Sequence, residues 1–218
     1  MGLRVSGNGH VTCAALFTTR EDNVNTTIEY FDENAKRCFV DAFTITDRTN
    51  QDHFLSYIEP GGTILDFGCG SGRDTAYFRK RDYAVIPTDG SREMCRLASD
   101  FLGTHVRVLE FNELDDEDRY DGIYASASIM HLEYEKLLEV FPKMARALHA
   151  GGILFVSFKY GETDGYLGKR YYTKMTEDRL ARTLENFDEF ELVEQGTFGN
   201  EHPDQPDFRW LYAYLRKR

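Results

Sequence analysis

The segment Thr63–Asp74, with the sequence TILDFGCGSGRD, constrains the fold more than any other part of the 218-residue chain. It begins as a short apolar run typical of a strand, passes Asp66, and then has glycine at alternate positions, Gly68, Gly70 and Gly72. Glycine accommodates positive φ angles and lets a ligand approach the backbone closely. The pattern therefore predicts a buried parallel strand, a tight turn, and the start of a helix whose N–H groups face a polar ligand.

Two features distinguish this motif from the G-x-G-x-x-G turn of dinucleotide-binding proteins. Asp66 precedes the first glycine, and the glycines follow a Gly-x-Gly-x-Gly spacing. With these features, Leu65–Gly72 resembles the first motif of the class I S-adenosylmethionine (SAM)-dependent methyltransferases. The resemblance implies SAM as the methyl donor and S-adenosylhomocysteine (SAH) as the product, with Asp66 and the three glycines among the cofactor-binding residues. A purely structural strand–turn–helix of another α/β protein is the alternative interpretation of this motif alone.

Strand and helix patterns alternate after the motif, which favours a parallel sheet covered by helices. Five strands are predicted, at 64–67, 84–88, 106–109, 122–125 and 153–158. A polar loop at 159–174 and a helix capped by Thr176 should follow, and then an antiparallel pair of strands at 190–198 and 208–215. This order resembles the class I methyltransferase fold, an α/β fold with a seven-stranded Rossmann-like sheet, mostly parallel with an antiparallel edge strand.

The part of the chain before the first strand divides into two regions. Residues 1–24 lack a periodic apolar pattern and are predicted to be a flexible arm. Helical patterns begin at Thr26 and at Asn50, and these two helices are expected to lie over the mouth of the sheet. Residues 25–218 would then form one methyltransferase domain.

The composition argues against a nucleic-acid-binding, metal-binding, disulfide-rich or membrane-spanning protein. A formal net charge of −11 and a pI near 5.0 disfavour a nucleic acid as the main partner, because such proteins usually carry a basic face. The four cysteines form no Cys-x-x-Cys pair and no Cys/His cluster, which argues against a metal site and a disulfide scaffold and fits the cytoplasm. No apolar run approaches membrane-spanning length. We therefore expect a cytoplasmic monomer or homodimer that acts on a small molecule.

Acidic residues follow the second and third predicted strands. Asp89 ends the second strand, where a carboxylate can accept hydrogen bonds from both hydroxyls of a ribose. Nicotinamide-dependent enzymes place an acid at a comparable position, and an Asp that merely begins a turn is a further alternative. After the third strand, the resemblance implies that Glu110 takes the adenine amino group and that Phe111 completes adenine recognition. A surface Glu beside a core Phe explains these two residues almost equally well.

Residues at two other places are expected at the methionyl end of the cofactor. Arg73 directly follows the glycines and is placed to pair with the methionyl carboxylate in bidentate fashion, or else is a solvated residue of a first helical turn. Ser126 belongs to a run of small residues after the fourth strand that would let the cofactor lie close to the backbone. The Gly-Arg pair at 72–73 and the segments 120–124 and 157–161 resemble the tellurite methyltransferase and its small-molecule relatives.

Titratable and aromatic residues are predicted around the entrance for the methyl acceptor. His131 is the first titratable group beyond the fourth strand and is the candidate general base, unless it only packs or caps. Tyr30 would reach the same mouth from the N-terminal helix and is the second candidate catalytic residue. Lys159, Tyr160 and Arg170 flank the loop after the fifth strand and suit an anionic or aromatic acceptor, although they also suit an ordinary solvated loop.

These patterns predict in-line transfer of the sulfonium methyl group to an N, O or S atom of a small molecule. Alignment of the acceptor, the methyl group and the leaving sulfur would supply much of the rate. The alternative from another class is a non-catalytic SAM- or SAH-binding module that acts through a protein partner. A nicotinamide-dependent oxidoreductase is disfavoured by the glycine spacing and by the terminal pair of strands.

Overall fold

The structure of the protein, a computed structural model, describes residues 22–199 and 209–218. Helix α1 spans Asp22–Ala42, so the last three residues of the predicted flexible arm are helical and its residues 1–21 lie outside the described part. The other helices are α2 (Thr49–Leu55), α3 (Arg73–Arg79), α4 (Arg92–Leu102), α5 (Tyr134–Ala147) and α6 (Glu177–Leu184). The strands are β1 (Thr63–Phe67), β2 (Ala84–Asp89), β3 (Arg107–Val108), β4 (Tyr120–Ala125), β5 (Leu148–Lys159), β6 (Gly165–Leu167), β7 (Arg170–Tyr172), β8 (Phe190–Gly199) and β9 (Arg209–Lys217).

Seven of these strands form one sheet in the order β3-β2-β1-β4-β5-β9-β8. The first five pair in parallel, whereas β9 runs antiparallel to both β5 and β8. The predicted mostly parallel, seven-stranded sheet is confirmed, and its reversed strand lies beside the edge strand β8. The strand order reverses between β1 and β4, and in open α/β sheets ligands bind at the carboxyl ends of the strands at such a point.

Both faces of the central strands are buried under helices, which explains why their sequences are nearly continuous apolar runs. On one face, α2 and α3 place Phe54 and Phe78 against Tyr124 and Phe155. On the other face, α5 and α6 cover a larger cluster that includes Phe141. The predicted cap of α6 is present, and α4 has the same kind of cap: the hydroxyls of Thr176 and Ser91 accept hydrogen bonds from the N–H groups three residues later.

Three elements differ from the sequence-based prediction. Strand β5 begins at Leu148 instead of residue 153, because Leu148 pairs with Tyr120 before a shift in register. The predicted polar loop at 159–174 contains the hairpin of β6 and β7, which the N–H of Tyr171 ties to α1 through Thr27 Oγ1 (3.1 Å). Helix α2 lies against the face of the sheet, since its apolar side chains pack there, and only its first turn reaches the mouth.

None of the helices described is long and apolar enough to cross a lipid bilayer.

Candidate functional site

A cavity of about 1650 Å³ opens at the carboxyl ends of β1, β2 and β4. Its walls come from the glycine turn, the end of β2, the turn after β3, helix α1 and the loop 44–47. Ligand cavities in proteins usually measure roughly 300–1000 Å³. The cavity therefore has room for two small molecules side by side.

The three glycines of the turn differ in how much space surrounds the position of a Cβ atom. All have positive φ angles, +82° at Gly68, +54° at Gly70 and +75° at Gly72. A Cβ atom at Gly68 would lie 2.5 Å from Ser128 Cβ, and one at Gly72 would lie 2.8 Å from a side-chain carbon of α4. A Cβ atom at Gly70 would have only Met94 Cε within 4 Å, at 3.8 Å. Gly68 and Gly72 thus permit close packing of the protein, whereas Gly70 keeps the cavity open.

Asp89 is fixed at the end of β2 by two backbone groups. Its Oδ2 accepts a hydrogen bond from Gly70 N–H (2.9 Å), and its Oδ1 accepts one from Ser91 N–H (2.8 Å). Burial raises the pKa of Asp89, and these two N–H groups oppose that rise. Each carboxylate oxygen retains a further lone pair. Asp89 therefore joins the glycine turn to the start of α4 and can still accept hydroxyl groups of a ligand in the cavity.

Asp66 lies deeper, at the base of the same cavity. The Thr75 hydroxyl donates a hydrogen bond to its Oδ2 (2.5 Å). Burial, followed by the negative charge of Asp74, raises the pKa of Asp66 to about 7. Near neutral pH a positive charge in the cavity would therefore favour the ionised form of Asp66.

The pKa of Asp66 predicts how the stability of the protein depends on pH. Because the folded protein holds this proton up to pH about 7, and the unfolded chain only up to about 4, stability should fall as the pH rises between these values. Between pH 5 and 8 this group should lower the free energy of unfolding of the wild-type protein by at least about 1 kcal/mol. We expect Asp66→Asn to lack this contribution. Urea unfolding of both proteins at the two pH values measures it. Identical pH slopes would contradict the raised pKa.

The guanidinium group of Arg73 is already hydrogen-bonded within the protein and is not free to bind a ligand carboxylate in bidentate fashion. Its Nε and Nη2 donate to the two carboxylate oxygens of Asp74 (both 2.9 Å), and Nη1 donates to the carbonyl of Ala42 at the end of α1 (2.8 Å). Gln51 from α2 donates to the same Asp74 (3.0 Å). The bidentate partner of Arg73 is thus Asp74 and not the methionyl carboxylate that was predicted, although Arg73 does line the cavity. Its structural effect is to join α1 to α3.

The residues predicted at the adenine and methionyl ends all line the cavity. Glu110 and Glu113 form a reciprocal capping box around the turn after β3, so the Glu110 carboxylate is held in place. The ring of Phe111 packs edge-on against Phe67, with centroids 4.8 Å apart. Ser126 follows β4, where the next N–H group donates to the hydroxyl of Ser157 on β5 (2.8 Å). These contacts hold the wall of the cavity between β3 and β5.

His131 lines the cavity as a neutral imidazole. Its Nδ1 lies 2.7 Å from the carbonyl oxygen of Tyr171, which can only accept, so Nδ1 carries the proton and Nε2 has the lone pair. Burial, together with the positive charges of Arg170 and Lys159, lowers the pKa of His131 to about 4, although the hydrogen bond to the Tyr171 carbonyl opposes this shift. The sequence predicts a candidate general base at His131. The structure instead gives a weaker base that can accept a hydrogen bond at neutral pH.

Tyr30, Lys159 and Arg170 gather behind His131 and not on the cavity wall formed by the described residues. Tyr172 is their common neighbour: the Lys159 ammonium lies 3.7 Å and the Arg170 guanidinium 5.6 Å from the centre of its ring. Arg170 also lies over Tyr30, at 4.7 Å. Burial, and then Arg170 and Lys174, lower the pKa of Lys159 to about 8.

Tyr160 is directed away from the cavity, contrary to the prediction from its place after the fifth strand. Its hydroxyl donates to Glu177 in the first turn of α6 (2.8 Å), and the Arg209 guanidinium lies 4.2 Å above its ring. The alternation of side chains along β5 and the position of α6 account for this direction.

Sequence reasoning missed the aromatic end of the cavity. Phe198 on β8 and Trp210 on β9 are direct partners across the antiparallel pair, and their rings are parallel within 7° with centroids 6.2 Å apart. Both line the cavity, together with Phe31 from α1 and Tyr124 from β4. The available signal was the recurrence of aromatic residues at every second position of β9, which places Trp210 and Tyr212 on one face.

Comparison with known proteins identifies the central part of the chain. Residues 64–152 match the family model described as a methyltransferase domain. This segment is similar to a methyltransferase domain. An uncharacterized methyltransferase of Alkaliphilus oremlandii (strain OhILAs) is 24% identical over 127 residues, which span 57% of this chain and 58% of that protein.

Solved structures resemble this chain over most of its length. The 1,6-didemethyltoxoflavin-N1-methyltransferase of Burkholderia thailandensis, solved with 1,6-didemethyltoxoflavin and SAH, has a TM-score of 0.71 and 23% identity, covering 93% of this chain and 92% of that one. The [4+2]-cyclase SpnF has a TM-score of 0.63 and 16% identity, covering 77% of this chain and 79% of that one. At these identities the likeness shows the fold alone, that of the class I methyltransferases, and the two proteins have different activities.

Proposed function

We propose that the protein transfers a methyl group from SAM to an N, O or S atom of a small, planar aromatic acceptor. The observation that carries this proposal is the continuity of one cavity. It runs from the glycine turn and Asp89 at one end to Phe198 and Trp210 at the other. A donor and an acceptor must meet in such a space, since methyl transfer requires the nucleophile, the methyl group and the leaving sulfur in line.

The residues at the donor end fit SAM. Gly70 leaves space for a ligand at the backbone, and Asp89 presents carboxylate lone pairs suited to ribose hydroxyls. Glu110 and Phe111 line the part of the cavity expected to hold the adenine. Asp66 lies near the end of β1, where a positive charge in the cavity would favour its ionised form near neutral pH, which suits a cationic ligand. When bound, SAM would supply an electrophilic methyl group on a positively charged sulfur.

The acceptor end favours a flat aromatic molecule. Phe31, Phe198 and Trp210 offer ring surfaces, whereas Asn50 and Ser157 offer only a few polar groups. Aromatic side chains bind planar rings by stacking, and this interaction depends little on which functional groups the ring carries. The Burkholderia thailandensis enzyme, which was solved with 1,6-didemethyltoxoflavin bound, supports the same class by analogy.

The mechanism proposed for this chain depends on positioning more than on proton removal. His131 lines the cavity and has a lone pair on Nε2, but its pKa of about 4 makes it a poor base at neutral pH. It can orient the acceptor by accepting a hydrogen bond. The reacting atom should therefore already have an available lone pair at neutral pH, as a ring nitrogen or a thiolate does.

Turnover with methyl-labelled SAM tests this function. We expect transfer of label to planar nitrogen heterocycles and none to aliphatic acids or amines of similar size. Binding of SAH without turnover of any acceptor would instead fit a non-catalytic SAM- or SAH-binding module.

The variant Trp210→Ala should lower kcat/KM for the acceptor by roughly tenfold or more, because it removes one stacking surface. Affinity for SAH should change less than about twofold, since Trp210 lies at the other end of the cavity. Tyr160→Phe is the matched control, because its hydroxyl bonds Glu177 outside the cavity. An unchanged kcat/KM in Trp210→Ala, or an equal loss in Tyr160→Phe, would contradict the placement of the acceptor.

A further inference from the structure

Helix α1 covers the cavity while burying few of its own side chains. Thr27, Ile28 and Phe31 line the cavity from above, yet among the described side chains of α1 only Thr27 and Ala35 are buried. Elements with few buried apolar contacts open at low free-energy cost. The position of α1 therefore depends strongly on its specific hydrogen bonds to the rest of the protein.

The hydrogen bonds of Asp32 connect α1 to the start of α4. Its Oδ1 accepts from the Ser91 hydroxyl (2.5 Å) and from the N–H of Glu93 (3.1 Å). The first turn of a helix favours a carboxylate because of its free N–H groups and its dipole. Asp32 thus acts as a second cap for α4, supplied from another helix.

The same contact continues to the residue assigned to the ribose. Ser91 N–H donates to Asp89 Oδ1 (2.8 Å), so Asp32, Ser91 and Asp89 form one hydrogen-bonded series from α1 to the end of β2. Ile28 packs on the intervening residue, since a Cβ atom at Gly90 would lie 3.5 Å from Ile28 Cδ1. Helix α1 therefore contacts the turn 89–91 by both polar and apolar groups.

We propose that Asp32 is a positioning residue that couples docking of α1 to binding of the cofactor at the turn 89–91. The proposal rests on the assignment of SAM to this turn under the proposed function. The coupling would run through the hydrogen bonds that join Asp32 to Ser91 and Ser91 to Asp89, because docking of α1 then orients the carboxylate assigned to the ribose. By linkage, docking of α1 then strengthens binding of the cofactor by the same factor as binding strengthens docking.

Titration of three variants with SAH tests the coupling. Asp32→Ala should weaken SAH binding about five- to tenfold, in the usual range for coupled sites. Asp32→Asn keeps an oxygen that can accept both hydrogen bonds and should recover most of the affinity. Glu33→Ala is the matched control: Glu33 is the next residue of α1, and its exposed ion pair with Lys169 lies away from the turn 89–91. It should remain within about twofold of wild type.

Amide hydrogen exchange separates a positioning role from a merely structural one. In the wild-type protein, SAH should slow exchange in α1 about fivefold or more, with no change in α6, which does not line the cavity. In Asp32→Ala this SAH-dependent slowing should largely disappear. If Asp32 were only a structural contact, Asp32→Ala would speed exchange in α1 by the same factor with and without SAH. That result would overturn the proposal, even if the variant proved unstable.

The coupling and the proposed function can be disproved separately. If wild-type protein binds SAH but Asp32→Ala binds it equally well and retains the slowing in α1, the coupling is wrong and the proposed function stands. If wild-type protein does not bind SAH, the proposed function fails and the coupling fails with it.

Discussion

Replacing Gly70 by valine is expected to abolish SAH binding in a protein that still folds. The valine side chain would extend into the cavity, where only Met94 Cε lies within 4 Å of the Cβ position. The space that it takes is the space assigned to the ligand, so binding should weaken at least about a hundredfold, or about 2.7 kcal/mol. Calorimetric titration with SAH measures the loss.

Gly103→Val is the matched control for backbone strain. Gly103 caps the end of α4 at φ +65°, close to the +54° of Gly70, and a Cβ atom there meets nothing within 4 Å. Both variants should lose stability by about 1–2 kcal/mol or more through the left-handed backbone. Only Gly70→Val should lose SAH binding. Equal affinity of the two variants for SAH would show that the ligand does not approach the backbone at Gly70.

Asp89→Ala should weaken SAH binding about tenfold or more. Charge-assisted hydrogen bonds contribute about 1.5–3 kcal/mol each, and the ribose would lose such partners at Asp89. The variant would also release the N–H groups of Gly70 and Ser91, which loosens the glycine turn. Titration with SAH and thermal unfolding separate the two effects.

Asp121→Ala is the control for the loss of backbone support. Asp121 also accepts a backbone hydrogen bond, from Thr63 N–H (2.7 Å), and pairs with His149, but it lies at the opposite end of β4 from the cavity. It should destabilise the protein without changing the affinity for SAH by more than about twofold. If Asp89→Ala bound SAH as tightly as Asp121→Ala does, the ribose assignment would be wrong.

The parts of the site that are contiguous in the chain could be predicted from the sequence. Gly68, Gly70 and Gly72 follow one strand directly, and Asp89 ends the next, so their positions follow from the order of the elements. The caps at Ser91 and Thr176 are likewise local, because their hydroxyls bond N–H groups three residues away. The same holds for the seven-stranded sheet, since each strand has its own apolar run.

The parts that depend on contacts between distant segments could not be predicted in this way. Phe198 and Trp210 meet because β8 pairs with β9 in one particular register. Besides its neighbour Asp74, Arg73 bonds the carbonyl of Ala42 at the end of α1, 31 residues earlier, and this contact follows from where α1 packs. The pKa of His131 depends on burial beneath α1 and the β6–β7 hairpin, which carries Arg170.

Calorimetric titration of the wild-type protein with SAH, and in parallel with NAD, tests the central claim most directly. The cavity with its glycine turn and Asp89 predicts one SAH bound per chain with micromolar or tighter affinity, and no binding of NAD at the same concentrations. Absence of heat with SAH from folded protein, or saturable binding of NAD instead, would contradict the assignment of this site to SAM.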